Sequence, residues 1–422
     1  MLLKSPISAF SRVTAFASKR PIHAAFSWIH ANSKTILDWQ KELCTIPAPP
    51  FGEQARSQWM AARFSEIGLS EIETDAAGNV LGFLPAPHLS PESTGPVIVV
   101  SAHLDTVFPA GTPLNPALRK VNGTERLEGP GVCDNGAGVV GLLALAQALV
   151  HSKAEMPAAL LFVGNVGEEG EGDLRGVRHL YSRRPLAGRI AAHIVLDGAG
   201  ADAAVTQALG SRRYQVTITG PGGHSFTDAG TPNPIAAMAS ALADLAAIPL
   251  PEEPRTTLSL GTIHGGTSVN SIPESVAATV DFRSTSADQL IRLEVALHRA
   301  VEDAVEQGNS RTPAAARARG SLAFVIHLIG DRPAAHLPDN SPILEALRAV
   351  DRHLGLQSGV RLGSTDANLP ISLGIPSLSL GAGGEGGGAH TLAEWYAPRD
   401  RETGLRRALL LTLVMLDWAA EQ

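Results

Sequence analysis

Apolar residues follow one pattern over most of the chain and a different one between about residues 212 and 330. Outside that segment, short continuous apolar runs alternate with helical patterns. The runs are 96–102, 158–165 and 192–196. Such runs indicate strands buried on both faces, and their alternation with helices indicates a largely parallel sheet. After residue 330 the same style returns, with predicted helices at 342–354 and 400–420 and strands near 358–361 and 377–380.

The segment 212–330 alternates apolar and polar positions within its strands, which is typical of a sheet with one covered face. Its predicted strands are 213–219, 256–264, 275–283 and 322–329, and its predicted helices are 234–248 and 287–307. The order β-α-β-β-α-β is that of the ferredoxin-like unit. We therefore predict an α/β domain made of residues 26–211 and 331–422, with a ferredoxin-like domain, 212–330, inserted into it.

Residues 1–25 carry basic residues and serines but no long apolar segment, so the pattern does not favour a secretory signal. We predict that they form a poorly ordered extension. No apolar run is long enough to span a bilayer. Cys44 and Cys133 are too few for a disulfide framework and suit a reducing compartment. These observations predict a cytoplasmic protein without a membrane partner.

A chain of 422 residues is expected to form more than one domain. Its 44% of hydrophobic residues is typical of a globular protein. The formal net charge is −7. A nucleic-acid-binding protein would favour a strongly basic surface, so we expect no nucleic-acid partner.

Acidic and histidine side chains recur where the predicted strands end. His103 and Asp105 follow the first run, Glu168 and Glu169 follow the second, and Asp197 follows the third. Asp134 precedes a predicted helix at 137–151, and His390 lies in a Gly-rich loop. Functional loops of a parallel sheet lie at the carboxyl ends of its strands, so these residues are candidates for one site.

This set of side chains suits a pair of divalent metals, which activate a water and polarise a scissile carbonyl. Such a site needs neutral imidazoles, carboxylates and one bridging group. The candidate ligands are His103, Asp134, Glu169, Asp197 and His390. Glu168 is a neighbouring candidate for the general base, and Asp105 is placed to accept the other N–H of His103. The alternatives are a solvated acidic loop at 168–169, a helix cap at Asp134 and a turn residue at Asp197.

Five motifs resemble those of the M20 metallopeptidases, and their order and spacing are more specific than any one of them. The motifs are Ser101–Pro109, Gly131–Gly138, Gly167–Gly176, Leu196–Gly198 and Gly388–Thr391. The family includes tripeptide aminopeptidases, glutamate carboxypeptidases, dipeptidases and acyl-amino-acid deacylases. The resemblance extends from about residue 33 to the end of the chain.

The resemblance implies a role for each matching residue. Asp134 would bridge the two metals, with His103 and Asp197 completing one site and Glu169 and His390 the other. Asp105 would orient His103. Glu168 would take the proton from the water between the metals and pass it to the leaving amine. The resemblance also implies a cis peptide between Asp134 and Asn135.

The inserted domain resembles the family's lid, which also mediates dimerisation, so a homodimer is expected. His224, in the sequence Gly222–Ser225, matches a histidine that reaches the partner's active site. Asn270 and Arg283 match residues that hold the substrate, and a guanidinium suits a substrate carboxylate. The loop from Arg361 to Asn368 lies where the family's substrate loop falls, but a structural turn is equally compatible with it.

We therefore predict a two-metal hydrolase, with zinc or else Co²⁺ or Mn²⁺, that cleaves an amide bond in small peptides. Aspartate at position 197 resembles the tripeptide aminopeptidase and dipeptidase branches. A carboxypeptidase or an N-acyl-amino-acid deacylase is the alternative within the family. A non-catalytic homologue that binds peptides or amino acids is the alternative from another class, although no ligand or base is missing from the sequence.

Overall fold

A computed structural model describes residues 8–84 and 95–422, which divide into two compact units. The first unit comprises the described residues up to Ala208 together with His336–Gln422. The second is Leu209–Ala335. The predicted boundaries of the inserted domain, 212 and 330, lie a few residues inside this second unit.

The strands are β1 (Ser70–Thr74), β2 (Val80–Leu84), β3 (Val97–His103), β4 (Ala117–Val121), β5 (Thr124–Glu128), β6 (Ala159–Asn165), β7 (Ile190–Leu196), β8 (Ala203–Ala208), β9 (Gly210–Thr219), β10 (Gly223–His224), β11 (Thr256–Gly265), β12 (Ser271–Ile272), β13 (Ser275–Ser284), β14 (Ala323–Arg332), β15 (Ala335–His336), β16 (Gly359–Gly363), β17 (Ser377–Leu380), β18 (Glu385–Gly387) and β19 (Trp395–Ala397).

The α-helices are α1 (Ala9–Ala17), α2 (Arg20–Ala31), α3 (Ser33–Leu43), α4 (Gln54–Ile67), α5 (Gly136–Ser152), α6 (Arg175–Ser182), α7 (Pro234–Ala246), α8 (Ala287–Arg311), α9 (Ala314–Arg317), α10 (Pro342–Leu354), α11 (Asn368–Ser372) and α12 (Arg401–Ala420). Two short 3₁₀ helices, Gly170–Gly172 and Leu186–Arg189, flank α6. Among the described residues, no helix is both long and apolar enough to cross a membrane.

The first unit is built on a sheet with the strand order β1-β2-β6-β3-β7-β17-β8-β15, and β16 pairs with β8. The central strands β6, β3, β7 and β17 run parallel, as the apolar runs predicted. Every residue of β3 and β6 is buried, which explains why these strands are continuously apolar. In their register His103 lies opposite Asn165, so the loops that follow β3 and β6 leave the sheet side by side.

The prediction that residues 1–25 form a poorly ordered extension is wrong for residues 8–25, which form α1 and the start of α2; residues 1–7 lie outside the described residues. Val13 and Phe16 are buried at helical spacing in α1, and Ile22 and Ala25 are buried at helical spacing in α2. Helix α1 packs against α10 and α12, and Arg12 forms ion pairs with Asp417 of α12 and with Glu421, which follows that helix. The basic residues conceal an amphipathic pattern, so the α/β domain begins earlier than residue 26.

The second unit has an antiparallel sheet with the order β11-β13-β9-β14. Helices α7 and α8 cover one face, where Val216, Val280 and Phe282 share a core with Met238 and Leu297. The chain order β9-α7-β11-β13-α8-β14 is the β-α-β-β-α-β order that the alternating pattern predicted.

A small antiparallel sheet, β18-β19-β5-β4, is an element that the apolar pattern did not predict. Its strands are short, and β18 consists of one glutamate and two glycines, so the sequence carries no period-2 signal there. In this sheet Trp395 pairs with Glu128. The pairing brings the Gly-rich segment that carries His390 next to residues 129–134.

Candidate metal centre

His103 and Asp105 lie at the carboxyl end of β3 and are almost completely buried. The His103 Nδ1 atom lies 3.1 Å from the backbone oxygen of Asp105 and 3.6 Å from its Oδ1. The Asp105 carboxylate also accepts the backbone N–H groups of Glu168, at 3.0 Å, and Glu169, at 2.7 Å. Asp105 therefore joins the loop after β3 to the loop after β6.

Asp134 lies in the turn before α5, and its peptide bond to Asn135 is cis, as the family resemblance implied. The helix cap is Asn135, whose side chain accepts the N–H of Gly138 at 3.0 Å. The same side chain donates to the backbone oxygen of Leu196 at 2.9 Å. The alternative interpretation of Asp134 as the cap is therefore wrong, and the Asp134 side chain is left for the site.

The two predicted histidines lie on opposite sides of the Asp134 carboxylate. The His103 Nε2 atom lies 3.2 Å from Asp134 Oδ1 and 3.8 Å from Asp197 Oδ1. The His390 Nε2 atom lies 3.0 Å from Asp134 Oδ2 and 3.0 Å from Glu169 Oε1. The result is two groups of three residues, each with ligand atoms within 4.8 Å of one another, that share Asp134.

Opposite charges crowd within this cluster. Burial acts to lower the pKa of His103, but its contacts with Asp105, Asp134 and Asp197 outweigh burial and hold the pKa well above its ordinary value. The hydrogen bond to Asp134 raises the pKa of His390 to about 9. Burial raises the pKa of Glu169, whereas the two histidines hold the pKa of Asp134 below its ordinary value in spite of burial. The cluster is therefore rich in negative charge that cations would offset.

The residues fit a pair of divalent ions. The Oδ1 atom of Asp134 is buried, yet it accepts no hydrogen bond from any described residue. Two imidazoles with three carboxylates form a donor set that zinc, cobalt or manganese accepts. His103, Asp134 and Asp197 could hold one ion, and Asp134, Glu169 and His390 the other.

Glu168 lies beside this cluster and is only 5% exposed. One of its carboxylate oxygens lies within 4.8 Å of ligand atoms of His103 and Glu169. The structure thus brings all seven predicted residues of the metal site together, and the interpretation of residues 168–169 as a solvated acidic loop is wrong because both side chains are buried.

The three predicted substrate-binding residues lie in the second unit, where two of them are close together. Strands β10 and β12 place His224 opposite Ser271, and Ser225 N–H donates to the backbone oxygen of Asn270 at 3.0 Å. The His224 Nδ1 atom accepts the N–H of Phe226 at 3.1 Å, so its proton resides on Nε2.

Arg283 lies elsewhere in the second unit. It is near the far end of β13, about 26 Å along the strand from Ser275 at ~3.3 Å per residue. Its Nε donates to Asp281 Oδ2 at 2.8 Å. Within the second unit, Arg283 therefore does not lie close to His224 and Asn270.

The loop from Arg361 to Asn368 has the contacts of a structural turn. Asp366 is fully buried, accepts a hydrogen bond from Asn165 Nδ2 at 2.7 Å, and has a pKa that burial raises to about 7. Asn368 Oδ1 accepts the N–H of Thr365 at 3.0 Å. Arg361 is exposed and pairs with Asp202 at 2.8 Å.

Sequence reasoning missed Glu394, which is fully buried behind the Asp134 turn. Its carboxylate accepts three backbone N–H groups from residues 131–134. Burial raises the pKa of this carboxyl to about 7, against the effect of the three donors. The only signal in the sequence is a glutamate four residues after His390, which by itself predicts nothing.

Comparison with known proteins identifies the family. Residues 99–413 match the model of peptidase family M20/M25/M40. A probable carboxypeptidase from Aspergillus clavatus is 28% identical over 269 residues, which are 60% of this chain and 58% of the relative. A probable carboxypeptidase from Aspergillus oryzae is 27% identical over 252 residues, 56% of each protein. The chain thus spans less than two thirds of the length of these relatives.

Several solved structures share the fold. The aminopeptidase PepT from Bacillus cereus matches with a TM-score of 0.70 and 19% identity, over 92% of this chain and 99% of that one. A dinuclear metal binding peptidase of the M20 family from Bacillus subtilis matches with a TM-score of 0.63 and 16% identity, over 92% and 99%. Identities this low show the fold alone. Because the family model covers well over half of the chain, this protein belongs to peptidase family M20/M25/M40.

Proposed function

We propose that the protein is a two-metal hydrolase that cleaves an amide bond in small peptides, in the manner of a tripeptide aminopeptidase or dipeptidase. The observation that carries the proposal is the pair of ligand groups that share Asp134, with Glu168 beside them. A single carboxylate with a histidine facing each of its oxygens suits two ions better than one.

The geometry supports each ligand in the proposal. His103, Asp134 and Asp197 hold one ion, and Asp134, Glu169 and His390 hold the other, with zinc the first candidate and Co²⁺ or Mn²⁺ the alternatives. When bound, such ions supply Lewis acidity that polarises a carbonyl and lowers the pKa of a water. Asp105 faces His103 Nδ1, so it keeps Nε2 directed to the ligand group.

Glu168 is the proposed general base. Its carboxylate is buried beside the ligands and belongs to neither of the two groups that share Asp134. The hydrogen bond from the Glu168 backbone N–H to Asp105 fixes the backbone position of Glu168. Glu168 would accept a proton from the attacking water and then donate it to the leaving amine, so that its own protonation state is restored after each turnover.

A carboxypeptidase is the second candidate function, because the Aspergillus relatives are named probable carboxypeptidases. Aspartate at position 197 favours the first candidate. An N-acyl-amino-acid deacylase would use the same metal centre on a smaller substrate. The three activities differ in which end of the substrate must be free.

The deciding experiment is a substrate panel with blocked ends, assayed with added Zn²⁺, Co²⁺ or Mn²⁺. An aminopeptidase hydrolyses a tripeptide and its C-terminal amide but not the N-acetylated form. A carboxypeptidase shows the reverse selectivity, and a deacylase acts on N-acyl amino acids. Metal content measured on the same samples identifies a non-catalytic homologue, which would hold metal yet hydrolyse nothing in the panel.

Substrate-binding roles for His224, Asn270 and Arg283 are part of the proposal. The exposed Nε2 proton of His224 suits a developing oxyanion, and Arg283 suits a substrate carboxylate. Each role predicts a kinetic effect that is distinct from loss of metal.

We also propose a homodimer formed through the second unit. Strand β11 is at the end of its sheet, and its Leu260 and Ile263 side chains are 41% and 53% exposed. A long edge strand with exposed apolar residues is a surface on which a second copy can pair. Sedimentation velocity tests this: the full chain should sediment as a dimer, and Ile263→Lys should shift it towards the monomer. A wild-type chain that sediments as a monomer at micromolar concentration contradicts the proposal.

A cytoplasmic location completes the proposal. Cys44 and Cys133 are both free and buried, which suits a reducing compartment. Fractionation of cells that express the full-length chain would test it, and recovery from the medium would contradict it.

A further inference from the structure

Glu394 is a buried charged residue that has no part in the proposed function. It lies between the segment that carries His390 and the Asp134 turn, which we define as residues 129–134. Its Oε1 accepts the N–H of Cys133 and of Asp134, each at 2.7 Å, and its Oε2 accepts the N–H of Gly131 at 2.9 Å. Its own backbone oxygen accepts the N–H of Gly129 at 2.9 Å. One residue therefore makes four hydrogen bonds to a single turn.

The hydrogen bonds of Glu394 go to backbone groups that are not paired within a helix or a sheet. A buried N–H that loses its acceptor costs about 1–3 kcal/mol, so the turn depends on this carboxylate for its conformation. The last of the three N–H groups belongs to Asp134 itself, so Glu394 holds the backbone from which the Asp134 side chain extends. A shift of the turn therefore moves the carboxylate that both ligand groups share.

Glu394 also couples two ligands that are distant in sequence. The Glu394 N–H donates to Thr391, the residue after His390, at 3.2 Å. His390 and Asp134 face each other at 3.0 Å. By holding the Asp134 turn from the His390 segment, Glu394 sets the relative position of these two ligands.

A buried cation behind the same turn interacts with this negative charge. Arg56 is 1% exposed and donates to the backbone oxygens of Ile46, at 2.9 Å, and Leu104, at 2.8 Å. Its charge interacts with Glu394 and with Asp105. Glu394 is thus a buried acceptor that interacts with a buried cation, and it belongs to neither of the two groups that share Asp134.

We propose that Glu394 is a positioning residue of the metal centre: its carboxylate fixes the backbone of the Asp134 turn so that the two Asp134 oxygens face the two ligand groups. The inference rests on the proposed function, because it takes Asp134 as a metal ligand. Since Asp134 belongs to both ligand groups, loss of the Glu394 carboxylate should weaken the binding of both ions together. Loss of His390, which belongs to one group, should weaken the binding of only one ion.

The test is a Co²⁺ titration of the full-length chain after removal of metal by a chelator, followed by calorimetry and by the visible absorption of bound cobalt. Glu394→Gln keeps the shape of the side chain, but its NH₂ group cannot accept a backbone N–H. We expect this variant to bind both cobalt equivalents about 10- to 100-fold more weakly, the usual effect of losing a partner behind the ligands. We also expect its absorption spectrum to change. His390→Asn serves as the comparison that should affect a single equivalent.

Glu385→Gln is the matched control, since Glu385 is an exposed residue of the small sheet that Glu394 adjoins, and its carboxylate lies 3.9 Å from Arg399 Nε. It should bind cobalt as the wild type does. If Glu394→Gln does not fold, Glu394→Asp replaces it, with weaker binding of both equivalents still expected because the shorter side chain cannot reach all three N–H groups.

Unchanged cobalt affinities and spectrum in the Glu394 variant would overturn the inference, even if the variant melts at a lower temperature. Weakening of only one equivalent would also overturn it. A wild-type chain that binds no cobalt would overturn the proposed function and this inference together, which distinguishes that failure from the failure of Glu394 alone.

Discussion

The two units hold their candidate functional residues in different ways. In the first unit, side chains up to about 260 residues apart in sequence meet within 4 Å. Parallel strands deliver His103, Glu169 and Asp197 to one edge of the large sheet. The small antiparallel sheet brings the segment that carries His390 next to the Asp134 turn. In the second unit the sheet is antiparallel, and its candidates are spread along the strands. His224 and Asn270 meet only through the short β10–β12 pairing, whereas Arg283 pairs with Asp281 near the far end of β13.

This difference affects what each unit can do by itself. In the cluster of the first unit His103, Glu168 and Glu169 are buried, His390 is exposed, and the members lie within contact distance of one another. In the second unit His224 and Asn270 are exposed, Arg283 is half-buried, and all three make local contacts. Their proposed roles concern the substrate and not the metal ions. Changes in the first unit should affect chemistry and metal, and changes in the second should affect substrate handling.

The largest expected effect comes from Glu168. Glu168→Gln removes the proposed base but keeps the size of the side chain, so kcat should fall by about 10²- to 10⁴-fold while both metal ions stay bound. Steady-state kinetics with metal analysis on the same sample measures both. Substantial turnover in this variant would remove Glu168 from the mechanism.

His224→Ala is the next test, and it addresses the second unit. If the Nε2 proton stabilises a developing oxyanion, kcat should fall by about 10²- to 10³-fold with little change in metal content. Phe226→Ala is a suitable control because Phe226 lies two residues away and is 84% exposed. Equal effects of the two substitutions would show a general disturbance of the loop.

Arg283→Met should have a smaller effect, confined to substrates with a free carboxylate. Loss of a charge-assisted hydrogen bond of about 1.5–3 kcal/mol predicts a KM increase of roughly 10- to 100-fold. Arg213→Met is the matched control, since Arg213 pairs with the same Asp281 from the neighbouring strand, at 3.2 Å. If both variants raise KM equally, or if peptide amides are affected as strongly as free acids, the proposed role of Arg283 is wrong.

The smallest expected effect concerns the core beneath the first unit's site. His193 is fully buried between Tyr181, at 3.0 Å, and Ser101, at 2.8 Å, and burial lowers its pKa to about 3. The unfolded chain, with an ordinary histidine pKa near 6.5, then binds more protons than the folded chain below that pH. His193 should therefore reduce the free energy of unfolding by about 1.4 kcal/mol for each pH unit from 6.5 down towards 3.

His193→Gln removes this titration, so its unfolding free energy should fall less than that of the wild type as the pH is lowered. Urea unfolding of both chelator-treated chains at pH 7 and pH 5 measures the difference, and because both lack metal, the titration of the ligands affects them alike. Parallel pH dependence of the two chains would contradict the assignment of a buried neutral histidine.

The sequence is informative where one residue pattern has one physical meaning. Continuous apolar runs predict β3, β6 and β7, and the residues that follow these runs include His103, Glu168, Glu169 and Asp197. Alternation predicts the ferredoxin-like order of the second unit. The role of Asp134 requires the family motif, because an aspartate before a helix is equally typical of a cap.

Other features depend on contacts between distant segments, which no local pattern reveals. The prediction of an extension in place of helix α1 fails because the stabilising partners of this helix are Asp417 and Glu421, near the end of the chain. The carboxylate of Glu394 acts on N–H groups of residues about 260 positions earlier, and the short strands that bring them together lack a hydrophobic period. Long-range hydrogen bonds of this kind form only in the folded chain, so local sequence patterns do not predict them.

If two metal ions share Asp134, each chain should bind two ions, and the number of ions bound per chain is a direct test. Equilibrium dialysis of the full-length chain against buffered Zn²⁺, followed by elemental analysis, should give two tightly bound ions per wild-type chain. Asp134→Ala should lose tight binding of both ions, whereas His390→Asn should retain one. An Asp134→Ala chain that still holds two ions, or a wild-type chain that holds none, would show that Asp134 is not a ligand shared by two ions.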